Sequence, residues 1–557
     1  MQPLKGRQTD VLISGPWSMV NDAVDSTTAN TSTLYAAQNM YPDPQLGSWV
    51  GRPGSRPMGQ TGGAGPGTQL GQSGHRRVQG SITWTKRNTN GTVTRYTVVV
   101  CGGKFYTYDW SLDTYTEVET AADFTAKSIT LDKDSRVFFT VCGTQTGFAQ
   151  LHVSDGVNVP FLWDGSTGGG TGAGLTKLTN SPVLYGQPWM YYAKVMGTMN
   201  ANRGRTVWGE ENDPTVGYLM PAYNNVWQDP GAQDANPLYG GIGTNDAIYL
   251  YRNRSTVSIT GRLDTQFSTT GVRADVSNTV GVASSASLVF HEGTIFFQDA
   301  DGRLRYQAGN TVNDTLWRES RQTTNTLNLG QLQVVQAVDY VPAGVILFGV
   351  PGPDQSDMSL LMAVSMTSGA PHFVGTWSGF GTFSCLAMAL DQDGVPVLLR
   401  GDTNGYVYRF GDPNRVGSTQ IWDDYSSAGV ASPITHVLTP SYLGGNTDTE
   451  RQFLRADAVF RADSNMTVGA SYQTPRSTSN LLSTTIMGTG TLYGEALYGE
   501  FTYGGGTTEV HRAFGYGRNA NGRWLLPSFT HQSVGEQFGM LAMSVDAVQV
   551  SRQPRTP

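Results

Sequence analysis

Short hairpins recur along most of this chain, each an apolar run, a tight turn and a second strand. That pattern restricts the fold to sheets that are stacked or closed so that their edges are protected. In residues 98–109 the run Val98-Val99-Val100-Cys101 meets a Gly102-Gly103 turn, and aromatic and polar residues then alternate through Tyr108. Residues 287–298 repeat the theme and continue through the turn Asp299-Ala300-Asp301-Gly302 into 303–306. Residues 395–400 and 405–410 do the same around Asp402-Thr403-Asn404-Gly405.

Between residues 76 and 430 such strand groups return at a loose spacing of ~40 to 60 residues, the range of propeller blades. They lie near 96–109, 136–163, 189–208, 247–261, 287–306, 334–348, 360–377 and 385–410. The prediction is a mostly β protein whose main body, 76–430, is a β-propeller of about six or seven blades. Residues 210–243, rich in Pro, Asn, Gln and Asp, read as an insertion loop within it, and loops beyond ~12 to 15 residues are commonly functional. Residues 431–557 alternate like antiparallel strands and read as a C-terminal β-sandwich of about 120 residues. Residues 1–75 show little pattern and end in a Gly-rich run, which predicts an extended N-terminal docking arm ordered by contact with something else.

Charge bears on partners. Charged residues make up 15% of the chain, well under the usual ~25%, and a surface of Ser, Thr, Asn and Gln suits burial against neighbouring subunits. Residues 1–100 carry nine Lys or Arg against four Asp, a balance of +5, which leaves −12 on the rest of a chain whose net charge is −7. Arg52, Arg56, Arg76 and Arg77 are therefore candidate contacts of a basic arm with an acidic partner or nucleic acid; the plainer reading is a solvated face. Tyr493, Tyr498 and Tyr503, each followed by Gly, are candidate contacts of an adhesive loop or, equally, aromatic cover for sheet glycines.

Cys101, Cys142 and Cys385 are far apart in apolar contexts and predict buried free thiols. No stretch approaches the ~20 apolar residues of a membrane helix, and the start of the chain lacks a signal-type apolar region.

The order of parts and several passages resemble a family of tailed-bacteriophage virion proteins, the tail nozzle or packaged-DNA stabilisation proteins. The passages are 21–25 (Asn-Asp-Ala-Val-Asp), 38–42, 51–54 (Gly-Arg-Pro-Gly), 246–261, 279–287, 294–302 and the C-terminal 512–550. The resemblance implies a virion location and a homo-oligomeric ring of about six copies. It also implies neighbours such as a portal or adaptor and tail fibres or spikes, and a bore through which the genome leaves without specific binding. No membrane, cofactor or metal is implied.

Two rivals come from other classes. A propeller glycoside hydrolase would need paired carboxylates or a tyrosine nucleophile; Glu210, Glu211 and Asp213 are the nearest acid and base candidates, and Tyr493, Tyr498 or Tyr503 the nucleophile. The chain has no sialidase-type Ser-x-Asp-x-Gly-x-Thr-Trp turns, no Gly-x-Ser-x-Gly elbow and no phosphate loop, and its seven histidines never fall at zinc spacing. The turns 299–302 and 391–394 are read as hairpins rather than calcium loops, because the ladder of oxygen ligands stops short. A receptor- or glycan-binding tail protein would stack sugars on Trp189, Trp208 or Trp227, whose plain alternative is the core. No catalytic residue is expected.

Overall fold

The run Val98-Val99-Val100-Cys101 is apolar at every position because its strand is buried on both faces. In the computed structural model Val98 and Val100 join a core with Trp84, Phe105, Leu151 and Trp163, whereas Val99 and Cys101 join another with Ala387, Leu399 and Val407. Residues 247–251 divide the same way, Ile248 and Leu250 to one side and Ala247, Tyr249 and Tyr251 to the other. Side chains alternate across a strand, so a strand with two apolar faces lies in a sheet packed between two others. The described residues are all except 1–8, 23–31, 44–46, 61–64, 89, 144–148, 167–173, 220–225, 229–235, 262–271, 367–369, 413–420, 445–449, 463–465, 487–507, 517–519, 534, 536–537 and 551–557.

Among them, seven antiparallel units follow one another as propeller blades: 78–119, 138–177, 184–228, 238–277, 289–313, 336–377, and 385–410 completed by 55–57. The groups 334–348 and 360–377 are two hairpins of one blade, the sixth. The ring closes between blades 7 and 1, where Val78 N donates to Asp402 O (3.0 Å), Ser384 Oγ to Val78 O (2.7 Å) and Leu390 N to Thr83 Oγ1 (3.0 Å). The outermost strand of blade 7 is Ser55–Pro57, which pairs with Val407–Phe410 in the register Phe410↔Ser55, Arg409↔Arg56, Tyr408↔Pro57. A strand from far earlier in the sequence thus latches the last blade.

Where it is described, the expected insertion loop is largely blade. Its described residues include Asp213–Gly217 and Val226–Gln228, which pair with Arg205–Glu210 in blade 3, and Leu238–Gly243, which opens blade 4.

Two further sheets form a sandwich on the flank of blade 6. One contains Thr9–Ser14, Met40–Asp43, Ser48–Gly51, Gly539–Gln549, Arg451–Ala462 and Thr508–Gly515; the other contains Thr33–Gln38, His436–Pro440, Leu526–His531, Met466–Gln473 and Thr478–Ile486. The second sheet runs into blade 6 through the pair Gln38↔Thr376. Phe453, Phe460, Phe514, Phe529 and Phe538 fill the sandwich, and their core is continuous with Phe348, Leu361 and Trp377 of blade 6.

The N-terminal segment, expected to be ordered by a partner, is ordered by its own chain where it is described. Besides giving strands to both sandwich sheets and to blade 7, it places Trp17 and Trp49 in the core, with Trp49 Nε1 donating to Trp17 O at 2.9 Å. Asp22 accepts from Gln322 N (2.9 Å) and Thr323 N (2.8 Å), satisfying the first amides of helix Arg321–Asn325.

One buried carboxyl makes the propeller's stability depend on pH. Glu119 ends strand Thr114–Glu119 of blade 1, fully buried, next to a helix whose capping box joins Thr120 and Asp123. Burial, and then the Asp123 charge, pushes its pKa up to about 7. A carboxyl raised on folding contributes stability that is full below its unfolded pKa and lost as pH rises through the folded one. Glu119→Gln should therefore match the parent near pH 4 and exceed it by roughly 2–3 kcal/mol above pH 7. Melting curves from pH 4 to 8 check this, and a gap that does not change with pH would refute it.

Candidate axial site

The first strands of blades 1, 2, 6 and 7, together with Gln187 of blade 3 and the turn Ser285–Ser287, surround an axial cavity of about 340 Å³. At ~30 Å³ per water molecule, that volume holds on the order of ten waters. The turn narrows the axis: Ser285 Oγ accepts from Gln187 N at 2.8 Å, and a Cβ on Gly240 would lie 2.6 Å from Ser285 Cβ, so glycine there is what admits the turn.

Three arginines lie near this axis, though none of them lines the cavity. Arg136, two residues before the first strand of blade 2, donates from Nη1 to Val335 O (3.4 Å) and from Nη2 to Val334 O, both just ahead of blade 6. Blades 2 and 6 are not neighbours, so this side chain crosses the channel. Burial, and next the charge of Arg77, lowers its pKa to about 10, which leaves it a cation at neutral pH. Arg77, directly before the first strand of blade 1, pairs with Asp357 at 2.5 Å. Arg203 places its guanidinium 3.7 Å from the Tyr185 ring centre and 4.4 Å from that of Tyr239, in the corner made by two rings that stand at 89° to each other. Its Nη2 is buried with no hydrogen-bond partner. Burial raises the Tyr185 pKa while the charges of Arg203 and Arg136 oppose the rise, which places that phenol within the field of both cations. Among the described residues, Arg136 thus shares the field of Arg77 and Asp357, and Tyr185 the fields of Arg136 and Arg203. Cys385 also lines the cavity, but burial pushes its thiol up to about 12, so it carries no nucleophilic thiolate at neutral pH.

The residues singled out from sequence scatter. Arg52 is wholly buried, bonded to Asp424 at 2.5 Å, and presents nothing to a partner; the charge counted toward a basic arm is neutralised inside the fold. Arg56 is half-buried in the latch strand, Arg76 is exposed, and only Arg77 belongs to the axial cluster. Tyr493, Tyr498 and Tyr503 lie outside the described residues. Of the hydrolase candidates, Glu210 pairs with Lys194 Nζ at 3.5 Å, Asp213 Oδ1 accepts from Thr215 Oγ1 at 2.5 Å, and Glu211 is exposed. Trp189 and Trp208 are core side chains, with Trp227 packed partly against them. Asp299 Oδ1 accepts from Asp301 N and Arg303 N at 2.9 Å each, and Asp391 Oδ1 from Asp393 N and Val395 N at the same distance. Amides therefore point at these carboxylates, as in a hairpin turn, where calcium would need oxygens. No group of three or more His, Cys, Asp or Glu suited to a metal occurs among the described residues. Sequence reasoning missed Arg136 and Arg203; the available signal was an arginine just ahead of two successive first strands, at 77 and 136.

No protein-family model and no curated protein sequence matches the chain. Among solved structures it is similar to BamB from Moraxella catarrhalis, with 12% identity and a TM-score of 0.34 over 68% of this chain and 95% of that one. The extracellular domain of the hybrid two component system BT4673 from B. thetaiotaomicron gives 9% and 0.33 over 95% of this chain and 58% of that one. The Pan2 WD40 domain of Neurospora crassa gives 10% and 0.28, over 68% and 90%. The fold stated here rests on the sheets themselves.

Proposed function

We propose that this chain is a structural subunit of a tailed-phage virion, which assembles with copies of itself into a ring of about six at the tail nozzle. In this reading the ring sits below a portal or adaptor, carries fibres or spikes, and lets the genome leave through the bore between subunits. The propeller's own axis plays no part in that passage, since a cavity of about 340 Å³ does not admit a duplex. Six copies at −7 each carry −42, a charge that disfavours adhesion of DNA phosphates during exit.

The observation that carries the assembly is the strand Thr9–Ser14. It pairs with Gly539–Gln549 on one side only among the described strands, and it turns Val11 (57% exposed) and Ile13 (64% exposed) to solvent. An edge strand with an apolar outer face is a liability in a monomer and a ready contact in an assembly. Val11→Asp with Ile13→Asp should leave the melting curve nearly unchanged, because both side chains are already in water, and should abolish ring formation measured by sedimentation. Symmetry-resolved electron microscopy of native particles tests the whole reading: a closed ring on a tail axis is expected, while a free monomer or a place at the outer tip of a fibre would overturn it.

A further inference from the structure

We propose that His436 and His531 form an acid-operated lock, which holds residues 48–57 on the sandwich at neutral pH and releases them when the pair takes up a proton. The proposal is independent of the virion reading, since it rests on the interior of a single chain.

Packing is the first argument. The two histidines face each other from neighbouring strands, His436–Pro440 and Leu526–His531, with the two Nδ1 atoms 3.4 Å apart. Both are buried, at 3% and 1% exposure, and Phe538 stacks on His531 with ring centres 5.5 Å apart and planes 2° from parallel. The N-terminal segment closes over them. Gly51 N donates to Phe538 O at 2.7 Å, and a Cβ on Gly51 would lie 2.5 Å from His436 Nε2, so the strand Ser48–Gly51 rests directly on the imidazole. Shortly after Gly51 the same stretch becomes the latch strand Ser55–Pro57 of blade 7. What moves Gly51 therefore pulls on the latch.

Hydrogen bonding is the second. Two ring nitrogens in contact need one proton between them. His436 Nε2 is buried without a partner, so the neutral pair is satisfied when His436 carries its proton on Nδ1 and donates it to His531 Nδ1. Neither accepting nitrogen then has room for another proton. One on His436 Nε2 would be pressed against Gly51, and one on His531 Nδ1 would meet the N–H of His436.

Electrostatics is the third. Burial, then the facing His531 and next Arg52 push the His436 pKa down to about 3, while Asp424 and the Arg52 backbone act the other way. Arg52 and Asp424 are bonded to each other, and the adjoining strands Thr33–Gln38, Ser48–Gly51 and Met466–Gln473 contain no charged residue. A histidine lowered on folding contributes stability that is full above its unfolded pKa, near 6.5, and is lost as pH falls toward the folded one. The loss begins at about pH 6, before Asp424, held below 3.8, gives up its charge. Through His436 alone, an opening that exposes the pair is favoured about tenfold for each pH unit between roughly 6 and 4.

Hydrogen exchange of the full-length protein, read by mass spectrometry between pH 7 and 4 and normalised to unstructured exchange at each pH, tests the lock. Protection of residues 48–57 should fall about tenfold or more per pH unit below pH 6. Residues 247–259 of blade 4, which contain no histidine, should keep theirs. His436→Gln should remove about one factor of ten per pH unit from the slope at 48–57. His531→Gln is the second probe should the first variant not fold, and the slope rather than the starting protection is what is read. Protection at 48–57 that does not change with pH overturns the proposal, as does an unchanged slope in the variants. An equal loss at 247–259 also overturns it, because the whole chain would then be unfolding rather than one stretch coming free.

Discussion

A chain lacking residues 1–74 will not fold. Read from sequence alone, that segment is a docking arm, and its removal should spare the body and weaken only incorporation into a particle. The structure reverses the expectation. The deletion takes away the latch strand Ser55–Pro57 of blade 7, so that Val407–Phe410 becomes an open edge and the ring can splay at the junction of blades 7 and 1. It also strips Thr33–Gln38 and Ser48–Gly51 from the sandwich and removes the buried side chains of Trp17, Val20, Leu34, Met40, Tyr41, Trp49 and Val50. At roughly 1.5–3 kcal/mol each, those side chains alone outweigh a net stability of ~5–15 kcal/mol. The expected result is insoluble protein, or a soluble species without a cooperative melting transition. A truncated chain that melts cooperatively near the parent temperature would mean that the segment is an arm after all.

The blades were legible in the sequence and the latch was not, for a physical reason. A strand such as residues 98–101, apolar at successive positions and closed by Gly102-Gly103, announces itself because both of its faces are buried and its turn needs positive φ, which is +58° and +73° at those glycines. Ser55-Arg56-Pro57 has no such pattern: it is an outermost strand of three residues bordered by glycine and proline, and it is a strand only because Tyr408 and Phe410 lie beside it. The same holds for the expected loop 210–243, whose strands are too short to show a period. Spacing misled where one blade contains a long connection, so that residues 334–348 and 360–377 looked like separate units although they share blade 6.

Legibility at the axial site fails differently. Arg136 meets carbonyl oxygens almost 200 positions later in the chain, at Val334 and Val335, and Arg77 meets Asp357; nothing local to either arginine marks it. What sequence supplies is the residue type and the place at the head of a blade. What it does not supply is that seven blade heads converge on one axis, which turns scattered single cations into a cluster.

Asp424→Asn should be the most destabilising single substitution in the chain, costing about 3–5 kcal/mol. Arg52 is fully buried where the N-terminal segment, blade 6 and the sandwich meet, and all five of its N–H groups are used. Nε donates to Asn39 Oδ1 (3.0 Å), Nη1 to Pro53 O (3.0 Å) and Asp424 Oδ1 (3.2 Å), and Nη2 to Ser378 O (2.9 Å) and Asp424 Oδ2 (2.5 Å). Arg400, 3% exposed, stands within the field of the same carboxylate, and both cations approach the Phe380 ring, at 5.1 and 5.2 Å. Asparagine keeps the shape and removes the charge, which leaves the buried Arg52 guanidinium without its counter-ion and Arg400 with the field of Asp402 alone. Burial by itself would raise the Asp424 carboxyl, but Arg52 and then Ser55 and Arg400 more than offset it and hold it below the ordinary aspartate value of 3.8. A carboxyl depressed on folding contributes stability that is present above its unfolded pKa and lost as pH falls through the folded one. The gap between parent and Asp424→Asn in chemical denaturation should therefore be level from pH 5 to 8 and close only in acid, below about 4. A gap that persists at pH 2 would show that the substitution acts through packing, and that the charge of Asp424 is not what holds the three parts together.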